Sequence, residues 1–166
     1  MKYIFIGKIV NTHGIKGEVR LISNFKFKDK VFIKNMPIYI GKNKTKEIIK
    51  TYRPHKQFDM ITLNGYNNIN DILKYKGLLV YINNEDLILN NNEYLDEDLI
   101  GLKVIIDNNI KGTIKNIEDY KTYKLIIVNN DEKDYLIPYV SDIIENIDFK
   151  KGNIYIKKDL EGLFDK

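Results

Sequence analysis

Short runs rich in β-branched and aromatic residues recur along the chain, and glycine, proline and asparagine residues separate them. In the first half this pattern predicts six strands, at residues 2–10, 18–23, 36–40, 46–52, 58–63 and 78–82. Short strands with turn residues between them favour an antiparallel barrel or sandwich over a parallel sheet with crossover helices. We therefore expect a small all-β domain at the start of the chain.

One helix is predicted between the fifth and sixth strands. Asn70 can cap it, Asp71 suits its first turn, Leu73 and Tyr75 supply apolar side chains, and Gly77 is placed to end it. Earlier, phenylalanines alternate with lysines over residues 25–34, which we interpret as a loop or short turn. Its aromatic side chains could stack on unpaired bases, but anchoring in the core is the more frequent role.

The second half predicts another small all-β domain. Residues 83–97 break the periodicity with asparagines and acids, and five strand candidates follow at residues 102–106, 111–117, 124–128, 135–138 and 153–157. We expect a first domain over residues 1–82, a linker over 83–97 and a second domain over 98–166.

Charge divides the two halves sharply. Residues 1–82 contain sixteen Lys and Arg against five Asp and Glu, and residues 83–166 contain eleven against eighteen, so balances of +11 and −7 add up to the net +4. A basic domain attracts phosphate backbones, whereas an acidic one repels RNA and favours a basic protein. The asymmetry could also serve solubility alone.

Composition excludes several kinds of chemistry. The chain has no cysteine, so disulfides, thiolate catalysis and cysteine-bound metals are excluded. No apolar run approaches the length of a membrane span, and the first residues lead directly into a strand pattern instead of a signal peptide. We expect a soluble, cytoplasmic protein with no membrane partner.

The stretch GKIVNTHGIKGEVRL, residues 7–21, predicts a strand, a tight loop and a second strand. Gly14 and Gly17 can take positive φ, which lets the chain reverse there. We expect four basic or protonatable side chains to crowd this loop and bind an anionic partner such as RNA: Lys8, His13, Lys16 and Arg20. Basic loop residues are also common as solvated surface, so this alternative stays open.

The amino-acid sequence of this stretch resembles a known family signature. Residues 13–20, HGIKGEVR, are similar to the opening signature of the ribosome maturation factor RimM family. The segments LNGY (63–66) and KGLLVYI (76–82) are similar to the family's passage from the first barrel to the linker. In the second half DLIG (98–101), KGTI (111–114), LIPYV (136–140) and EGL (161–163) resemble its PRC barrel, so the resemblance spans essentially the whole chain.

The resemblance implies a fold and a function. The fold would be all-β, with two small antiparallel β-barrels and one short helix near the end of the first. The N-terminal barrel would be of the translation-factor/reductase-like class and the C-terminal one a PRC barrel. The function would be that of a non-enzymatic assembly factor that binds the immature head of the small (30S) ribosomal subunit. It would contact 16S rRNA and a basic head protein, the nineteenth of the small-subunit series, and promote 16S rRNA maturation.

The resemblance also implies a surface for the partner protein, at Tyr94 and Tyr139. In the family, paired tyrosines and a further aromatic residue commonly precede the Asp-Leu pair. Here only Tyr94 matches, and Leu95 and Asp96 stand in place of the other aromatic residues.

No catalytic motif is apparent in the sequence. His13 and His55 are far apart and lack metal-ligand spacing, and phosphate-binding, dinucleotide and nucleophile-elbow motifs are missing. We expect no enzyme activity, no metal or other cofactor and no small-molecule substrate. The alternatives are an RNA-processing enzyme and a generic RNA-binding, translation-factor-like or flavin-reductase-like barrel module. The enzyme would need converging acids, a metal or a nucleotide cofactor site, and a translation-factor-like or flavin-reductase-like module would need a nucleotide-binding domain or a flavin.

Overall fold

The six strands expected in the first half all form and close into a barrel. They are β1 (Tyr3–His13), β2 (Glu18–Ile22), β3 (Pro37–Ile40), β4 (Thr45–His55), β5 (Phe58–Leu63) and β6 (Leu79–Asn83). Hydrogen bonds join them in the order β1-β2-β5-β4-β3-β6, and β6 pairs back onto β1. Every pairing in this barrel is antiparallel, as the sequence predicts.

The computed structural model describes residues 1–164, apart from the side chain of Ser141. Contacts between residues divide the chain into two compact units, Met1–Asn90 and Asn91–Lys166. The segment for which we predict a linker, residues 83–97, contains a short 3-10 helix at Asn84–Asp86. A second 3-10 helix, at Asp96–Leu99, begins inside this segment, and its Leu99 is buried in the core of the second unit.

The expected helix is present as α2 (Ile69–Ile72), which continues into a 3-10 helix at Leu73–Tyr75. Its cap is Asn68 and not the expected Asn70: the Asn68 side chain accepts a hydrogen bond of 3.2 Å from the backbone of Asp71. Two asparagines so close together cannot be ranked as caps from the sequence. Gly77 has a φ of +85°, which suits its role after the helix.

A one-turn helix that the sequence did not predict, α1 (Lys28–Val31), lies in the segment where phenylalanines alternate with lysines. Phe27, Val31 and Phe32 are buried. The anchoring role that we considered the more frequent one is therefore confirmed for these side chains.

Alternation along the strands fills the barrel with aliphatic side chains. β2 directs Val19 and Leu21 inward, and β5 does the same with Ile61 and Leu63, all four fully buried. A bulge between Ile9 and Asn11 interrupts the ladder of β1 with β2 and adds local twist.

One carboxylate is buried in this barrel. Asp59 on β5 is only 3% exposed. It accepts a hydrogen bond of 2.7 Å from the Tyr52 hydroxyl, and the Lys28 ammonium lies 2.8 Å from its other oxygen. The carboxylate and the buried position raise the pKa of Tyr52 to about 12, burial being the larger cause. Asp59 is thus balanced by one cation and one donor, as a buried charge requires.

The turn between β1 and β2 is anchored to the segment that leads into α2. β1 extends to His13, beyond its expected end, so the turn comprises only residues 14–17. The Ile69 backbone donates a hydrogen bond of 2.9 Å to the carbonyl of Ile15. Gly17 has a φ of +95°, and a Cβ placed there would lie 3.0 Å from the carbonyl oxygen of Tyr66. This glycine is required both by its backbone angle and by this close approach.

The second unit is a six-stranded sheet. Its strands are β7 (Lys103–Ile106), β8 (Asn109–Asp119), β9 (Lys124–Asn129), β10 (Asp134–Pro138), β11 (Ile144–Asp148) and β12 (Asn153–Ile156), in the order β10-β9-β8-β7-β12-β11. The sequence predicts five of these six strands. It misses β11 because Glu145, Asn146 and Asp148 have low strand propensity and obscure the alternation.

One pairing in this sheet differs from the expected antiparallel arrangement. β7 and β12 run parallel, with Val104 opposite Ile154. Parallel neighbours need a long connection, and here the four intervening strands provide it. The core behind the sheet is again aliphatic and includes Val104, Ile126, Val128 and Ile154, all fully buried.

We predict that Ile61→Ala lowers the free energy of unfolding of the first unit by about 2–5 kcal/mol, because it leaves a cavity inside the closed barrel. Urea denaturation measures the loss. The control is Ile88→Ala, since the Ile88 side chain is 79% exposed. An equal and small effect of the two substitutions would contradict the barrel core described above.

We also predict that Gly17→Ala destabilises the first unit more than Gly14→Ala does. Both alanines would adopt positive φ, at a cost of about 1–2 kcal/mol each. Only the alanine at position 17 would also press on the Tyr66 carbonyl, because the space beside Gly14 is open. Thermal melting of the two variants compares the costs, and equal melting temperatures would contradict the anchoring of this turn.

Candidate nucleic-acid interface

The structure brings three of the four predicted RNA-binding residues to one end of the β1–β2 hairpin. His13 is the last residue of β1, Lys16 lies in the turn, and Arg20 is in the middle of β2. Lys8 does not crowd this loop as expected. It lies within β1, where it pairs with Ile22 of β2 and Leu79 of β6. The expectation was wrong because β1 is longer than predicted.

His13 and Arg20 form a fixed pair on the outer surface. The His13 Nδ1 atom lies 3.2 Å from Arg20 Nε and 2.7 Å from Arg20 Nη2, so it accepts from the guanidinium. The same guanidinium lies over the ring of Phe58, with its Cζ 5.3 Å from the ring centroid. Arg20 is thus held in place before any ligand arrives.

A second arginine, Arg53 of β4, lies on the same surface. It donates two hydrogen bonds to Glu18, of 2.9 and 2.8 Å. This bonding lowers the pKa of Glu18 below its ordinary value of 4.5, although partial burial works in the opposite direction. Glu18 is therefore ionised at neutral pH and offsets the charge of Arg53.

The two histidines meet in the fold although they are far apart in the sequence. The rings of His13 and His55 lie 5.7 Å apart between their centroids. Partial removal from water lowers the pKa of His55 below 6.5, and the nearby positive charges of Arg53, Lys56 and Arg20 lower it further. His55 is therefore neutral at pH 7. Among residues 1–164, no group of three or more His, Cys, Asp and Glu side chains is arranged to hold a metal ion.

A shallow pocket lies beside Lys16. Its wall consists of two lysines, two threonines, a tyrosine and an asparagine: Lys16, Lys50, Thr51, Thr62, Tyr66 and Asn67. Ammonium groups beside hydroxyls and an amide can bind a phosphate oxygen. Lys50 is not predictable as part of this site, because Lys16, with which it lines the pocket, lies in a distant part of the chain.

In the second unit the two tyrosines predicted to bind a protein come together. Both Tyr94 and Tyr139 are partly buried and pack on the core of this unit. Burial raises the pKa of Tyr139 well above its ordinary value, and the Asp96 carboxylate and Tyr94 add to the shift. Tyr139 thus contacts both Tyr94 and Asp96.

Asp96 is in turn bonded to a lysine. The Lys124 ammonium lies 2.7 Å from Asp96 and 3.8 Å from Asp119. The hydrogen bond to Asp96 is the main reason that the pKa of Lys124 is raised above 10.5. Asp96 and Asp119 therefore offset the positive charge of Lys124.

A groove lined by aromatic and apolar side chains lies next to this cluster. The rings of Tyr120 and Tyr123 stack with their centroids 4.8 Å apart, and both are exposed. Leu125, Pro138, Tyr139 and Val140 form the rest of its apolar lining. Exposed aromatic side chains of this kind are enriched in protein-binding surfaces.

Within residues 1–164, no helix is both long enough and apolar enough to cross a membrane.

Family models match both units of the chain, and so do relatives along nearly its whole length. The family model of the RimM N-terminal domain matches residues 4–87, and that of the RimM PRC barrel domain matches residues 96–161. The ribosome maturation factor RimM of Exiguobacterium sp. is 34% identical over 170 aligned positions, covering 99% of this chain and 98% of that protein. The corresponding protein of Staphylococcus haemolyticus is 40% identical over 165 positions, covering 96% of this chain and 98% of that protein.

A crystal structure of a Pseudomonas aeruginosa protein described as a 16S ribosomal RNA processing protein RimM covers 96% of this chain, at 22% identity and a TM-score of 0.48. The two family models, together with relatives that match along nearly the whole length, show that the chain belongs to the ribosome maturation factor RimM family.

Proposed function

We propose that this protein is a non-enzymatic assembly factor that binds the immature head of the small ribosomal subunit. Its first unit would contact 16S rRNA and its second unit a basic protein of the head. The observation that carries the proposal is the opposite charge of the two halves, +11 over residues 1–82 and −7 over residues 83–166. The name of its relatives, ribosome maturation factors, supports the same class of target.

The first unit offers cations that are already positioned. Arg20 is held by His13 and Phe58, and Lys16 shares a pocket with Lys50. Side chains fixed before binding lose little conformational entropy when a phosphate arrives. Lys8, His13, Lys16 and Arg20 are the residues we propose for RNA contact, with Gly14 and Gly17 setting the shape of the turn.

The second unit offers an aromatic groove in the acidic half of the chain. We propose that Tyr94 and Tyr139, together with the stacked Tyr120 and Tyr123, bind the basic head protein. Aromatic side chains supply the apolar contact area, and the acidic charges of this half steer a basic partner toward it. The domain boundary we propose between these functions lies within residues 83–97.

The mechanism would be differential binding. A factor with higher affinity for the folded arrangement of the head shifts RNA and protein toward that arrangement, without making or breaking a covalent bond. It would leave when maturation covers or changes its site. No cofactor is needed for such a role, and it would take place in the cytoplasm.

We predict that the wild-type protein co-sediments with immature small subunits and that Lys16→Ala/Arg20→Ala weakens this association. The affinity of this double variant for RNA from the head region should fall less steeply with salt than that of the wild type, by the equivalent of about two phosphate contacts. Titration at two salt concentrations measures this change. The matched control is Lys150→Ala/Lys151→Ala, which removes the same charge from an exposed turn of the second unit.

Equal effects of these two double variants would show that only net charge matters and would contradict the RNA-contact assignment. Equal sedimentation of the wild type with immature and finished subunits would contradict the assembly role. Hydrolysis or modification of the RNA by the purified protein would favour the alternative of an RNA-processing enzyme.

We predict that Tyr139→Ala weakens capture of the basic head protein by about tenfold, because a tyrosine in such a groove contributes strongly to binding. Tyr155→Ala is the control, since Tyr155 is a partly buried tyrosine elsewhere in the same unit. Val140→Ser tests the same groove with little effect on folding, because Val140 is 50% exposed. Unchanged capture by both groove variants would place the protein partner elsewhere.

A further inference from the structure

The outer surface of β6, β1 and β2 has an apolar region that the site described above does not include. Phe5 of β1, Ile22 of β2 and Leu79 of β6 are 50%, 45% and 41% exposed. Lys8 lies among them, opposite Ile22 on one side and Leu79 on the other. Together with Tyr81, which pairs with Phe5, these residues form a surface that we name the outer aromatic face.

The rings of this face are held by one another. The ring centroid of Tyr81 lies 5.9 Å from that of Phe5 and 6.4 Å from that of Tyr3. The Lys44 ammonium lies 4.4 Å from the centroid of Tyr81, a cation–π distance. Phe5 therefore rests against an ordered neighbour while half of its own surface remains open, so a planar group could stack on it without further ordering of the protein.

Charge around the face indicates what it binds. The strands β1, β2 and β6 contain a single acid, Glu18, which is bonded to Arg53 at the other end of the hairpin. Lys8 lies within the face and Lys44 at its edge. Aromatic rings among lysines suit a polyanion with unpaired bases. A protein partner with an acidic surface could pair with these lysines, but its carboxylates would gain little from contact with the open Phe5 ring.

We propose that the outer aromatic face binds single-stranded RNA, with a base stacked on Phe5 and the adjoining phosphate contacted by Lys8. The inference deepens the proposed function and rests on its assignment of RNA to the first unit. It extends the RNA contact from the tip of the hairpin along β1. Lys8 would then contact RNA on the outer aromatic face and not at the tip. Double-stranded RNA hides the faces of its bases and is excluded from this stacking.

The test compares Phe5→Leu with Phe5→Tyr in the full-length protein. Leucine keeps an apolar side chain but removes the ring, whereas tyrosine keeps the ring. Fluorescence anisotropy measures binding of a short labelled single-stranded RNA and of a hairpin duplex of the same composition. We expect Phe5→Leu to weaken binding of the single strand by about tenfold, and Phe5→Tyr to leave it near the wild-type value. Binding of the duplex should be the same for both variants.

Phe149→Leu is the matched control, because Phe149 is an exposed phenylalanine, 44% accessible, in the acidic second unit. It should bind both RNAs as the wild type does. Melting temperatures of all variants should agree closely, since Phe5 lies on the outside of the barrel.

Equal affinity of Phe5→Leu and the wild type for the single strand would overturn the stacking proposal. If Lys16→Ala/Arg20→Ala still weakened RNA binding in that case, the proposed function would stand and only this inference would fail. If the wild type bound neither RNA, both would fail. Loss of association with immature subunits in Phe5→Leu, with unchanged RNA affinity, would assign the face to a protein instead and would also overturn the proposal.

Discussion

The alternation of side chains along the β1–β2 hairpin is the constraint on which the arrangement of the first unit depends. Val19 and Leu21 must point into the barrel because they complete its core, so Glu18, Arg20 and Ile22 must point outward. A shift of register by one residue would bury Arg20 and expose the core residues. The same packing that stabilises the barrel therefore fixes which cations face the solvent and in what order.

The shape of the hairpin turn is determined by its contacts with the segment that leads into α2. The Ile69 backbone holds the Ile15 carbonyl, and the Tyr66 carbonyl leaves space only for a glycine at position 17. Tyr66 and its neighbour Asn67 also line the pocket of Lys16 and Lys50. The shape of the tip is consequently set by a segment that lies some fifty residues further along the chain.

The sequence predicted most of the architecture because local signals agree with it. Six strand runs, the helix before β6 and two all-β units are visible as alternation, caps and turns. β11 was missed because acids and an asparagine interrupt its pattern. The parallel pairing of β7 with β12 was missed because no local signal encodes a partner so far away. The site was predicted in part: the tip of the hairpin is a continuous motif, whereas Arg53, His55 and Lys50 join it only through pairing between strands.

In each unit the first strand pairs with a strand from the end of that unit, and this has a consequence for biosynthesis. β1 must wait for β6 before the barrel can close, and β7 must wait for β12 before the second sheet is complete. Pairings between distant segments form slowly, and a nascent chain emerges from its N-terminal end. The basic barrel can therefore mature while the acidic half is still being translated. The second unit acquires its full sheet only once β12, the last of its six described strands, has left the exit tunnel.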